Sequence, residues 1–309
     1  MSDRWTRFWF APASPSNLGL CRMLFFGGML LFYLPTDFSA WGDVSPVFWQ
    51  PIWLFARFHL PMLPKGALTV MQMAWHVALA FSCIGLFTRT MTAVSFALGI
   101  YILGLPNNFG TEYHYDTLVV MAFAIMAISR SGDAWSLDRL RLRRAEREQP
   151  TETAASGEYT WPIRAIQLVM ALIFFAAGIA KIRHSGLAWV VSNTMSIMLV
   201  QQQYHIANAD PLTTVGLTLA LHPWLCSLLA AGSMTLETIY PLALFSARAR
   251  AFIVPSVFLM QVGIRVLMGP TFNQYLICNL FWVPWDRVAL AIRHRLTFSR
   301  PVTIEAVPQ

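Results

Sequence analysis

Charge is the scarcest resource in this chain of 309 residues: Asp, Glu, Lys and Arg together make up 12% of it. Soluble domains carry about twice that share. With 56% hydrophobic residues and a mean hydropathy of +0.53, most of the surface cannot be kept in water. Lipid is the solvent such a chain demands. Lysine is scarcer still: only Lys65 and Lys181 stand among the 22 basic residues. The four cysteines, Cys21, Cys83, Cys226 and Cys278, form no CxxC pair and fall in or beside apolar runs, which makes them small buried residues. HExxH, GxGxxG, a Walker loop and any His/Cys cluster are missing, so neither a metal nor a nucleotide site is expected.

What is present is a series of apolar runs. By the length rule of about 20 residues per crossing, about eight candidate spans emerge. They cover 18–34, 69–87, 91–105, 115–129, 163–181, 223–245, 251–268 and 272–284. The fold class is therefore all-α, a polytopic transmembrane bundle forming a single domain over 1–309. The run at 18–34 reads as an uncleaved first span, because Arg22 interrupts its start. Two outer segments are long. The first, 35–68, is rich in Trp, Phe and Pro and is expected on the membrane surface; the second, 184–222, is expected to hold an interfacial or re-entrant helix, or else a further span. An inner charged linker, 130–162, divides the chain into halves, and a short tail follows from 286 to 309.

The net charge of +7 does not point to nucleic acid, because the basic residues sit between the spans. With the N-terminus inside, 16 of the 22 basic residues fall on the inner side and four on the outer, Arg57, Lys65, Lys181 and Arg183. That asymmetry places the chain in a bacterial-type inner membrane with both termini cytoplasmic.

Ionisable groups inside spans are costly and mark function or pairing. Lys181 ends an apolar helix in FFAAGIAKIRH. A lysine there either snorkels to the interface or, once desolvated, serves as a base, a role no arginine can take. His114, in TEYHYDTL, is expected on the same side at similar depth, as a helix cap or as a group that orients a substrate. Glu237 and Arg265 lie in separate spans and are expected to form a structural ion pair. His76 is expected to be a satisfied core residue.

Several stretches together resemble one family. SPSNLGLCRMLFFGGML, FSCIGLFTRTM, EYHYDTLVVMAFAIMAISRSGDAWSLDRL, FFAAGIAKI and MTLETIYPLALF followed by ARARAF occur in the order of its motifs. These are a polar lead and first-span Arg, a Gly-Leu-x-x-Arg turn, a His-bearing helix ending in Trp-Ser-x-Asp, an Ala-Gly-x-x-Lys helix end, and an acidic helix with a basic turn. The chain resembles the membrane domain of vitamin K-dependent gamma-carboxylases, shared with the horizontally transferred transmembrane (HTTM) proteins. That resemblance implies a reduced quinone as cofactor, oxygen as its oxidant and CO2 as the group added. It makes Lys181 the base that deprotonates the reduced quinone and His114 its support. Trp189 stands near the family's Asp-Trp element, and Gln261 replaces a late-helix His. With Tyr113 and Tyr115 they are candidate substrate contacts. The reading from another class is a non-catalytic module that binds lipid or a partner, such as an exported peptide in maturation.

Overall fold

The computed structural model describes residues 3–110, 116–145, 154–204 and 211–298. Among these every named element is helical. The first half holds α1 (Asp3–Phe10), α2 (Pro15–Tyr33), α3 (Trp53–Arg57), α4 (Lys65–Ile84), α5 (Thr88–Gly104), α6 (Thr117–Ile128) and α7 (Leu137–Ala145). The second holds α8 (Trp161–His184), α9 (Ala188–Val191), α10 (Thr194–Gln202), α11 (Val215–Ala220), α12 (Pro223–Ile239), α13 (Leu242–Phe245), α14 (Ala247–Met268), α15 (Asn273–Cys278) and α16 (Trp285–Phe298).

Among the described residues, five segments are long and apolar enough to cross a bilayer: Pro15–Tyr33, Lys65–Ile84, Thr88–Asn108, Gly157–His184 and Ala247–Met268. At ~1.5 Å per residue each is long enough to cross a hydrocarbon core about 30 Å thick. Of the other runs expected to cross, Thr117–Ile128 is a shorter apolar helix of 12 residues. Run 223–245 is α12 and α13, interrupted beside Pro241, which has no N–H to continue the ladder. Run 272–284 departs from the expected span. It forms the six-residue α15 and a 3-10 turn, Asn279–Trp282, too short alone to cross. Its polar residues explain the break: Asn279 Nδ2 donates to the Tyr275 carbonyl at 2.9 Å, and Gln167 of α8 donates to the Phe281 carbonyl at 2.8 Å. Non-helical backbone is tolerated inside a bundle when neighbours satisfy it in this way.

The main core joins both halves. Phe25 and Phe26 of α2 meet Phe123 of α6, with ring centroids 5.3 and 5.4 Å apart, and Phe25 meets Phe281 at 5.4 Å. Trp75, Met170, Tyr240 and Val257 complete the same cluster. The outside is also apolar: Leu31, Leu172, Leu228, Phe252 and Leu259 are all more than half exposed. Exposed apolar side chains on helices long enough to cross a bilayer mark a membrane-embedded protein. Segment 35–68 forms two 3-10 turns and α3, and Phe55 packs with Leu68, Tyr101 and Leu105 in a satellite core. In segment 184–222 the longest described helix, α10, has nine residues.

Candidate functional site

The resemblance motifs gather at two ends of the bundle. At one end, Gly85 adopts φ +70°, and a Cβ there would collide with Arg22 and Ser136. Arg22 is fully buried and donates through Nη2 to the Trp135 carbonyl. Asp138 closes the knot. It accepts from the Phe87 N–H at 2.9 Å, the Thr88 N–H at 2.7 Å and the Thr88 hydroxyl at 2.8 Å, capping α5 from another helix. Burial pushes the Asp138 carboxyl up, but these donors outweigh it and hold its pKa below the ordinary value. The Gly-Leu-x-x-Arg and Trp-Ser-x-Asp motifs are thus one structural joint with Arg22.

The other end lies along α8. Tyr159, just before α8, donates to Asp133 at 2.8 Å and so sits by the joint. Lys181 follows 22 residues later, about 33 Å away at the helical rise. Gly178, one turn before Lys181, makes the site there. A Cβ on Gly178 would lie 2.5 Å from Thr238 Oγ1 and 2.7 Å from the Thr238 backbone N, so only glycine lets α8 and α12 approach this closely. One residue before Thr238 stands Glu237. Lys181 Nζ donates to Glu237 Oε2, and the two form an ion pair with side chains only 20% and 10% exposed. The ammonium also lies 5.3 Å from the centre of the Trp189 ring, within cation–π range.

The pair borders two cavities. The larger, about 580 Å³, runs between α10, α12 and α14 and is lined mainly by Leu, Met and Ile, with Trp189 and Phe272. Lys181 and Glu237 are the only charged residues along it among those described. The smaller, about 380 Å³, lies toward the main core, bounded by Phe174, Gln261, Phe272 and Tyr275. Lys181, Glu237, Met260, Ile264 and Phe272 line both. Gln261 is 2% exposed, and its Oε1 has no hydrogen-bond partner among the described residues.

Lys181, Trp189 and Gln261, singled out separately in the sequence, therefore meet at one place. Glu237 joins them, which corrects the expected ion pair. Its partner is Lys181, not Arg265. Arg265 lies in the last turn of α14 and donates to the Gly269 carbonyl at 3.2 Å, serving that helix's carbonyl end. Glu237 is carried to α8 instead by the Gly178 contact. His114, Tyr113 and Tyr115 lie outside the described residues. His76 is partly buried against Trp75 and hydrogen-bonded to the Tyr33 backbone, while its Nε2 has no partner among the described residues, so the expected satisfaction is half met.

Sequence reasoning passed over one polar cluster. Asp116, next to the His114 stretch, accepts from the Tyr33 hydroxyl and from Gln274 Nε2 at 3.0 Å. It thereby ties α2 and α15 to the start of α6. The available signal was a lone carboxylate at the head of an apolar helix. No protein-family model, no curated protein and no solved structure matches the chain.

Proposed function

We propose that the chain is a multi-pass protein of a bacterial-type inner membrane that performs general-base chemistry on a membrane amphiphile, with Lys181 as the base. On this reading it has about eight membrane segments, both termini are cytoplasmic, and it is related to the HTTM proteins and the gamma-carboxylase membrane domain. The charge pattern supports the orientation. The joint at Arg22 and Asp138 shares one end with Arg164, which lies over the Phe8 ring at 5.0 Å. Lys181 stands at the far end of α8.

The observation that carries the reading is the hydrogen-bonded Lys181–Glu237 pair, the only charged groups among the described residues lining a mainly apolar cavity. Within such a pair the ammonium can pass a proton to the carboxylate, leaving a neutral amine and a neutral acid with no change in net charge. The amine then accepts a proton from an acidic hydroxyl presented in the cavity, and Glu237 holds the first proton until solvent takes it. Trp189 packs beside the amine and excludes water on that side.

A cavity of about 580 Å³ lies in the range of small-molecule sites. It suits a flat ring with an isoprenoid tail. Lys181, Glu237 and Trp189 would hold the ring, and the methionine and leucine side chains the tail. A reduced quinone bound there would supply the acidic hydroxyl and the electrons that oxygen removes. Carboxylation of an exported peptide would add CO2 as the second substrate.

Lys181→Arg tests the assignment. Arginine keeps the charge and the bond to Glu237 but cannot become neutral. Quinol-dependent oxygen consumption by the purified protein should be abolished while the variant inserts and folds. Undiminished turnover would remove Lys181 as the base and favour the non-catalytic, lipid- or partner-binding module.

A further inference from the structure

The end of the bundle opposite Lys181 gathers positive charge without a counter-charge. Arg164 stands near the start of α8, and Arg248 and Arg250 near the start of α14. Neither helix has an acidic residue in its first turn. A helix start carries positive partial charge, so it favours anions and disfavours cations. Arg164 and Arg250 are half-buried, and Arg164 feels the repulsion of Arg250. Among the described residues neither forms an ion pair. Glu158, the nearest acid in the sequence, accepts from Trp161 Nε1 at 3.4 Å instead. The positive-inside rule accounts for arginines at this face. It does not account for two that are half-buried, within each other's field and without a carboxylate.

Both guanidiniums are held in place. Arg164 donates through Nη1 to Gln167 Oε1 at 3.1 Å and lies over the Phe8 ring of α1. Arg250 donates through Nε to the Ala243 carbonyl at 2.9 Å and through Nη2 to the Leu244 carbonyl at 3.3 Å, and lies 5.6 Å from the centre of the Trp282 ring. Arg164 Nε and Nη2 and Arg250 Nη1 keep no protein acceptor among the described residues. Guanidinium edges fixed in this way match the oxygens of a phosphate. The flank beside them is apolar. Phe245 stacks on Phe8 with centroids 5.7 Å apart and is 71% exposed, and Leu242, one turn before it, is 53% exposed.

We propose that Arg164 and Arg250 hold the phosphate of an anionic phospholipid from the leaflet at this end, with an acyl chain along Leu242 and Phe245. Basic pockets between membrane helices recognise acidic head groups in this manner. A free phosphate would satisfy the arginines and leave the apolar flank unused. A zwitterionic lipid would bring another cation to a place that already has too many. The site is independent of the role of Lys181, which stands at the other end of α8.

The test uses the full chain, delipidated in an uncharged detergent. Native mass spectrometry in about 0.15 M ammonium acetate, where loose surface attraction is screened, gives the Kd for one phosphatidylglycerol and for one phosphatidylcholine of the same acyl chains. The wild type should prefer the anionic lipid by about tenfold or more, the worth of one charge-assisted hydrogen bond. Arg164→Gln and Arg250→Gln should each bring the preference down to about twofold or less. Arg248→Gln removes the same charge from an exposed position on α14 and should leave the ratio within about twofold of the wild type. If Arg250→Gln does not fold, Arg164→Gln reads the same ratio. Inorganic phosphate in large excess should not displace the bound lipid. Equal affinity of the wild type for the two lipids overturns the site. So does an Arg248→Gln loss as large as that of Arg164→Gln, which would mark a diffuse charge effect. Displacement by inorganic phosphate overturns the lipid as the ligand and leaves a free anion in its place.

Discussion

Replacing Glu237 by Gln keeps size and shape but strips Lys181 of its counter-charge. Breaking a well-buried ion pair from one side typically costs about 3–5 kcal/mol, because the remaining charge stays desolvated. Here two features reduce that figure. The Lys181 side chain retains 20% exposure, and the Trp189 ring 5.3 Å away still attracts the ammonium. The ring contact is worth about 1 kcal/mol, so Glu237→Gln should destabilise the protein by about 2–3 kcal/mol. The double variant Lys181→Met/Glu237→Leu removes both charges and fills the space with apolar groups. It should return to within about 1 kcal/mol of the wild type, or exceed it. Reversible denaturant titration in mixed micelles of the wild type, Lys181→Met, Glu237→Leu and the double variant gives all four corners of the cycle, and the coupling energy should reach about 2 kcal/mol. A Glu237→Gln variant as stable as the wild type, or strictly additive singles, would show that the pair is solvated. The argument for a proton passed between them in an apolar site would then fail.

Gly178→Ala should lower stability by about 1–3 kcal/mol through overpacking against the Thr238 backbone, outweighing alanine's better helix propensity. Gly232→Ala, with open space around it, is the control and should not destabilise. Thermal unfolding of the two variants separates them, and equal behaviour would refute the close approach. For Asp138 the folded pKa lies below the unfolded one, so its contribution is present above the unfolded value of about 3.9 and is lost as pH falls through the lower folded value. Asp138→Asn should flatten stability below about pH 4 relative to the wild type, measured by unfolding across that range; an unchanged profile would remove Asp138 from the acid response.

Much of the bundle was legible because lipid imposes a coarse rule. Long apolar runs must be helices, and five of the expected spans have the length to cross. What that rule misses is how a run ends. Run 272–284 reads as a short span, yet Gln167, 114 residues before Phe281, takes the carbonyl that an intact helix would have used. No local pattern contains that donor. The site was legible in its residues and not in its pairing. Lys181 stood out as a rare lysine, and Glu237 and Arg265 as costly charges in separate runs. Opposite charge alone paired the latter two. Choosing between Arg265 and Lys181 as the partner of Glu237 requires knowing which helices touch, and that was decided by a residue with no side chain.

Gly178 is where those two levels meet. It lies three positions before Lys181, a little under one helical turn, so both face α12. The glycine removes the steric barrier, Thr238 closes onto it, and Glu237 arrives beside the lysine as a geometric consequence. An Ala-Gly-x-x-Lys helix end is then more than a sequence signature. It is a device for bringing a carboxylate from a second helix to an amine that would otherwise snorkel away. The same reasoning applies to the other motifs: Gly85 brings Arg22 and Ser136 together as Gly178 brings Lys181 and Glu237. The two assemblies differ in what surrounds them. The first closes around a capped helix start, whereas the second opens onto mainly apolar space with two charges and an unpaired amide oxygen. Packing of the first kind holds a fold, and space of the second kind is where a ligand fits.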